Sequence, residues 1–178
     1  MVSLVFVFWM FVVLFGIIGG LRGWAKEILV TFSVILALTF ITLLKNYVGF
    51  VIAIKQDTPK LYFWLCALVI GLLVFFGYQT TNITRFAAKM NREKIQDTLL
   101  GIFLGLLNGY LIMGCLWFFL AEAGYPFPAI TDPVKSGIPA IVDAAKRMLP
   151  FLPPRWLGIP GIYFAVVLAF IFVIVVFV

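Results

Sequence analysis

The sequence predicts an all-α integral membrane protein with about five transmembrane helices and short interfacial amphipathic helices. Of its 178 residues, 65% are hydrophobic and only 11% are charged, whereas a soluble domain carries about 25% charged residues. The apolar residues form long uncharged runs separated by short polar turns. Inside one run, Gly101, Gly105 and Gly109 recur every four residues. The chain has too few polar side chains to cover a surface that faces water, so these runs belong in lipid.

Five apolar runs are predicted to cross a hydrocarbon core of roughly 30 Å, the last of them only marginally. They lie at residues 2–21, 28–44, 61–78, 99–121 and 162–178. The sequence therefore divides into a four-span core, a proline-rich extramembrane or interfacial segment, and a C-terminal transmembrane helix. These three parts cover residues 1–123, 124–161 and 162–178.

Three connecting segments have their own patterns. Residues 48–54 are apolar but too short to span, so they either lie in the interface or prolong the second helix. Residues 80–96 are the most polar stretch and predict a surface amphipathic helix, with a solvated loop as the alternative. Eight of the nine prolines fall in residues 125–161 and exclude long helices there. One short amphipathic helix is predicted at residues 139–149.

Charge and residue usage exclude several classes of function. The net charge of +6 favours attraction to anionic lipid headgroups, because no basic soluble face exists to bind nucleic acid. Histidine is absent, which removes the commonest ligand of haem, zinc and copper. We therefore expect no cofactor and no metal. Cys66 and Cys115 lie inside apolar runs and are interpreted as packing residues rather than a disulfide.

The fourth span is the stretch around which the chain is organised. Helical periodicity places Gly101, Gly105 and Gly109 on one face, one turn apart. Small residues let helix backbones approach closely in lipid, so this face is predicted to pack on a partner helix. Asn108 is the strongly polar side chain well inside this span. It is predicted to form an interhelical hydrogen bond, with the lining of a solute path as the alternative. Asp97 is predicted to be the N-cap of the same helix.

A compact polar turn joins the first two spans. It contains Arg22, Gly23, Lys26 and Glu27. On a structural interpretation, Glu27 lies near the start of the second helix, where its dipole favours a negative charge, and the cations lie at headgroups. On a functional interpretation, these charges form an ion-pair gate or contact a partner.

Two patches together resemble the colicin V production protein family. The first patch is Gly-Leu-Arg-Gly-Trp-Ala-Lys-Glu at residues 20–27, and the second is Asp-Thr-Leu-Leu-Gly-Ile-Phe-Leu-Gly-Leu-Leu-Asn-Gly at residues 97–109. They match the family pattern of an RGxx(R/K)E turn and a DxxxGxxxGxxxG block, in the right order on the right spans. The resemblance covers about residues 1–123. It implies a multi-pass protein of the bacterial inner membrane, linked to colicin V production or export and to envelope function.

We do not expect an enzyme, because the sequence has no Ser/His/Asp set, metal-ligand cluster or phosphate-binding loop. Two hypotheses remain. The first is a non-catalytic structural, assembly or accessory subunit that binds other membrane-protein subunits, or further copies of itself, through helix faces in the bilayer. The second is a small oligomeric transporter or channel component. Denser Lys and Arg in the turns after the first and third spans favour an outside N-terminus and an inside C-terminus.

Overall fold

Four long apolar helices form the core of the protein. The computed structural model describes residues 3–79, 94–127, 133 and 136–177. The four helices are α1 (Leu4–Arg22), α2 (Trp24–Tyr47), α4 (Pro59–Tyr78) and α5 (Lys94–Glu122). Each is long and apolar enough to cross a membrane, and the described residues contain no strand. The predicted all-α membrane fold is therefore confirmed.

The turn between α1 and α2 consists of a single residue, Gly23. Its φ of +83° lies in the left-handed region that favours glycine. Such a turn reverses the direction of the chain, so the end of α1 and the start of α2 lie at the same end of the bundle, while α1 packs mainly on α5.

Helix α2 lies at the centre and contacts α1, α4 and α5. Its buried face includes Val30, Val34 and Ile41, which pack against residues of α4 and α5 in one apolar cluster. Tyr62, Cys66 and Ile70 of α4 and Leu111, Ile112 and Cys115 of α5 complete this cluster. Both cysteines are buried free thiols.

A separate short helix, α3 (Gly49–Asp57), connects α2 to α4. The chain leaves the helical conformation at Val48, so residues 48–54 do not prolong α2. Val51 and Ile54 are buried against the core. Pro59 is the first residue of α4, where proline needs no hydrogen-bonding partner for its nitrogen.

The C-terminal part contains α6 (Pro139–Met148), a 3₁₀ turn at Leu149–Phe151, α7 (Pro153–Trp156) and α8 (Gly161–Phe177). Helix α6 is amphipathic as predicted: Ala145 is buried, whereas Lys146 and Arg147 are exposed. Helix α8 has 17 residues, about 25 Å at 1.5 Å per residue, and it packs against α2. Its crossing of the membrane stays a prediction.

The predicted surface helix falls mostly outside the described residues. Positions 80–93 are not described, and residues 94–96 form the start of α5. The orientation of the bundle in the membrane also stays a prediction from the charge of the turns.

Candidate functional site

The two sequence patches at residues 20–27 and 97–109 lie against each other in the structure. Gly101 and Gly105 of α5 lie against Gly19 and Gly16 of α1, and Gly109 lies against Val12; we call this contact the glycine seam. A Cβ atom on Gly101 would collide with the carbonyl oxygen of Gly19, and one on Gly109 would lie 2.8 Å from the Cα atom of Val12. The backbones of α1 and α5 are therefore in direct contact, and the seam closes within one chain.

Asp97 lies at the end of the seam, but its role differs from the prediction. Helix α5 begins at Lys94, so Asp97 lies within its first turn instead of capping it. Its Oδ1 atom accepts a hydrogen bond of 3.2 Å from the backbone N–H of Trp24. A Cβ atom on Gly23 would lie only 2.8 Å from Oδ2 of Asp97. Asp97 therefore caps the start of α2, because the one-residue turn supplies no side chain to do so.

Next to the seam, Glu27 is buried with 0% exposure. Nη1 of Arg22 donates a hydrogen bond of 2.7 Å to Oε1 of Glu27 and pairs with its charge. Nδ2 of Asn108 donates to Oε2 of Glu27 at 2.9 Å and to the carbonyl oxygen of Glu27 at 2.8 Å. The carboxylate thus has a donor at each oxygen, which offsets the desolvation of its charge.

Thr31 and Tyr78 complete this group, which we call the Glu27 cluster (Arg22, Glu27, Thr31, Tyr78 and Asn108). The hydroxyl of Thr31 donates to Oδ1 of Asn108 at 2.7 Å. Nη2 of Arg22 donates to the carbonyl oxygen of Tyr78 at 3.0 Å, and the guanidinium lies 4.2 Å from the centre of the Tyr78 ring. The buried hydroxyl of Tyr78 has no hydrogen-bond partner among the described residues. The cluster joins all four long helices.

The comparison with protein families agrees with this geometry. The family model described as Colicin V production protein matches residues 4–136, well over half of the chain. The chain belongs to the colicin V production protein family. The search of curated proteins gave no match, and neither did the search of solved structures. The matched range includes the glycine seam and the whole Glu27 cluster, so both lie in the part of the chain that the family shares.

The predicted residues of this family member divide into two groups. Arg22, Glu27 and Asn108 meet in the Glu27 cluster, and the hydrogen bonds of Asn108 to α2 are interhelical, as predicted. Lys26 is half-buried, and its side chain forms no hydrogen bond or ion pair with another described residue. Glu27 lies in the first turn of α2, near the start of that helix, and its buried side chain is directed at Arg22 and Asn108.

A second polar group, absent from the sequence prediction, lies at the opposite end of the bundle. We call it the Glu122 cluster (Lys45, Lys55, Tyr62 and Glu122). Nζ of Lys45 donates to both carboxylate oxygens of Glu122, at 2.7 and 2.9 Å. Nζ of Lys55 donates to Oε1 at 2.9 Å, and the hydroxyl of Tyr62 donates to Oε2 at 2.5 Å. The cluster thus joins the ends of α2, α3 and α5 to the start of α4.

The sequence did contain a signal for the Glu122 cluster. Lys45 and Glu122 each end an uncharged run, and the two crossings between these ends return the chain to the same side of a bundle of antiparallel helices. Charges of opposite sign on one side of the membrane would then be expected to pair. Tyr62 gave no such signal, because tyrosine at a span end usually lies at the headgroup level.

Neither cluster contains the side chains of a metal site. Within the described ranges, no group of three or more His, Cys, Asp or Glu residues could hold a metal ion. What the Glu27 cluster can do is fix the register of four helices, and what the Glu122 cluster can do is hold two ammonium groups at one membrane end.

Proposed function

We propose that the chain is a non-catalytic accessory or assembly subunit of the bacterial inner membrane, which serves colicin V production or a related envelope process. On this proposal it binds other membrane proteins through the outward faces of its helices. Membership of the family supports the process, and the four candidate spans support a location in a membrane. The contacts of the described residues support binding over catalysis or conduction.

The observation that carries the proposal is an exposed glycine on the outside of α4, against which no described residue packs. Gly71 is exposed, and a Cβ atom added to it would meet nothing within 4 Å. Around it, Leu68 is 65% exposed and Phe75 is 57% exposed. In lipid, a small residue between large apolar side chains lets a second helix approach closely. The glycine seam cannot serve this purpose because α1 already fills it.

The polar groups of the core support the same proposal. The side-chain amide of Asn108 donates both of its hydrogens to Glu27, and its oxygen accepts a hydrogen bond from Thr31. Glu27 in turn is paired with Arg22. Side chains that satisfy one another hold helices together, whereas a conducting path needs polar groups directed at a lumen.

The test is a substitution at Gly71 that fills the space between Leu68 and Phe75 without disturbing the fold. We expect Gly71→Leu to leave the chain folded, because its surroundings are open, and to remove the partner from the complex. Gly49→Leu is the matched control, since Gly49 also has nothing within 4 Å but begins α3 outside the long spans. The measurement is native mass spectrometry after gentle extraction at native abundance. A parent chain that is always monomeric, or a partner retained by Gly71→Leu, would contradict the proposal.

A second candidate function is a small oligomeric transporter or channel component, and one observation favours it. Glu27 carries a charge at 0% exposure, and ionisable side chains buried inside membrane bundles often mark ion or proton paths. In liposomes, a homo-oligomer of the parent chain would then conduct an ion, and Glu27→Gln would lower the flux while assembly is retained. Unchanged flux in that variant would remove this candidate.

A further inference from the structure

The Glu122 cluster has more positive charge than it neutralises. Two ammonium groups, those of Lys45 and Lys55, share the one carboxylate of Glu122. That carboxylate also accepts from Tyr62, so both of its oxygens are fully engaged. Lys55 uses one of its three N–H donors on Glu122 and its side chain is 40% exposed. In the part of the chain that the structure describes, Glu122 is the one carboxylate that pairs with these lysines, so one positive charge and several donors remain available to an anion.

A cavity of about 230 Å³ lies beside Lys45. Helices α2 and α5 form its wall, and the segment after α7 forms its rim. Its apolar lining includes Leu38 and Ile41 of α2, Phe118 of α5 and Leu157, and Lys45 also lines it. The cavity thus combines an apolar interior with a cationic edge, which fits an amphiphile with a negative head.

An exposed aromatic side chain beside the cluster indicates the level of lipid headgroups. Tyr47, two residues after Lys45 at the end of α2, is 77% exposed. Aromatic residues with a polar edge concentrate at the boundary between lipid and water.

We propose that this end of the bundle binds one anionic phospholipid. Its phosphate diester lies at Lys45 and Lys55, and one acyl chain enters the cavity between α2 and α5. An acidic protein segment would satisfy the charge but not the apolar lining, and a zwitterionic lipid would fill the cavity without neutralising the surplus ammonium. This binding does not depend on the accessory role proposed above.

The test is lipid titration of the purified full chain, followed by native mass spectrometry. Phosphatidylglycerol is compared with phosphatidylcholine of the same acyl chains, and we expect tighter binding of phosphatidylglycerol. Removal of one lysine charge by Lys55→Gln weakens that binding about fivefold, as expected for one basic residue at a membrane surface. Lys55→Arg keeps the charge and retains the preference.

Lys60→Gln is the matched control. Lys60 lies at the start of α4 at the same end of the bundle, but its ammonium lies over the ring of Phe127 and is not part of the Glu122 cluster. Its removal is expected to leave the preference for phosphatidylglycerol unchanged. Deacylated phosphatidylglycerol headgroup, which has the same charge and no acyl chain, is expected not to displace the bound lipid.

Three results would overturn the proposal. The first is equal binding of the two lipids by the parent chain. The second is an equal loss in Lys55→Gln and Lys60→Gln, which would indicate general surface charge. The third is displacement by the deacylated headgroup, which would indicate a site for a free phosphate ester instead of a lipid.

Discussion

At the scale of single residues, the chain stabilises a charge inside the membrane by surrounding it with donors. Glu27 is fully buried, and Arg22 and Asn108 donate to its two carboxylate oxygens. Removing one partner of a buried pair leaves an uncompensated charge, whereas removing both leaves only a packing defect. The pair is therefore expected to show strong coupling.

Arg22→Leu is expected to lower the free energy of unfolding by about 3–5 kcal/mol, because it leaves the Glu27 carboxylate without its cation. The double variant Arg22→Leu, Glu27→Leu is expected to lose less than Arg22→Leu alone. Unfolding in mixed micelles by a denaturing detergent measures both. If Arg22→Leu lost less than about 1 kcal/mol, as exposed ion pairs do, the pair would not be acting as a buried one.

Asp97→Ala is expected to lower the free energy of unfolding by about 1 kcal/mol, the usual effect of losing an N-cap side chain. The loss arises in α2, whose Trp24 N–H bonds to Asp97. Amide hydrogen exchange at Trp24 should therefore become faster. Asp97→Asn retains an acceptor oxygen and serves as the control. Faster exchange confined to the start of α5 would show that the cap acts on its own helix instead.

At the scale of elements, close backbone contact holds α1 and α5 together and is the most extensive helix–helix contact among the described residues. Lipid gives little hydrophobic drive for helices to associate, so the gain comes from van der Waals contact between backbones. Only glycine permits that contact here, since Cβ atoms at Gly101 and Gly105 would overlap carbonyl oxygens of Gly19 and Phe15.

Gly105→Ala and Gly71→Ala are expected to change stability in opposite directions. A methyl group at Gly105 overlaps the backbone of α1, and overpacking of this kind lowers the free energy of unfolding by about 1–3 kcal/mol. Gly71 has open surroundings, so alanine there raises stability by up to about 1 kcal/mol through helix propensity. Gly105→Leu is expected to prevent the association of α1 with α5.

The same detergent unfolding measures these glycine variants. A Gly105→Leu chain that unfolds at the detergent fraction of the parent would show that the seam does not hold α1 and α5 together. Because the seam lies within one chain, its loss should appear as unfolding of the monomer, independent of protein concentration.

At the scale of the whole molecule, the two polar clusters lie at opposite ends of the bundle and differ in exposure. Glu27 is 0% exposed, whereas Lys55 in the Glu122 cluster has a side chain that is 40% exposed. Salt shortens the screening length to about 3 Å at 1 M and acts on exposed pairs far more than on buried ones. The contributions of the two clusters to the free energy of unfolding can therefore be distinguished by measuring stability at low and high ionic strength.

Glu122→Gln is expected to lower the free energy of unfolding by about 1 kcal/mol at low salt, with most of the loss removed at about 1 M salt. Glu27→Gln is expected to lower it more, with little dependence on salt. Unfolding curves of the parent and both variants at two salt concentrations provide the measurement. An equal salt dependence of the two variants would mean that both clusters reach water.

Deletion of residues 164–178 is expected to leave the four-helix core folded. The family match ends at residue 136, and α8 packs on α2 through contacts such as the Phe32 and Phe172 rings, 5.1 Å apart. Lipid tails can replace those apolar contacts at little cost, since they are as apolar as the side chains lost. Circular dichroism and size-exclusion chromatography in micelles check this outcome. Aggregation of the truncated chain would show that α8 is part of the core.

Sequence by itself determined the fold class and the four long helices. In lipid, an uncharged run of this length pairs its own backbone N–H and C=O groups by forming an α-helix. The sequence also determined that residues 101–109 carry a packing face, since the spacing of small residues depends only on helical geometry. The site was predicted in part: Asn108 is an interhelical hydrogen-bonding residue, as its position in an apolar run required.

Tertiary structure alone decided which groups meet. In the structure, the glycine face of α5 packs on α1 of the same chain. Asp97 caps the start of α2, and Glu27 accepts a hydrogen bond from Asn108 inside the bundle. The tertiary structure also brought Lys55 and Tyr62 to Glu122, residues with no local link in sequence. These outcomes depend on how helices cross and rotate when the residues that meet are 60 to 81 positions apart in the sequence. Local periodicity determines the face of a helix, but the partner of that face is chosen by packing against the whole bundle.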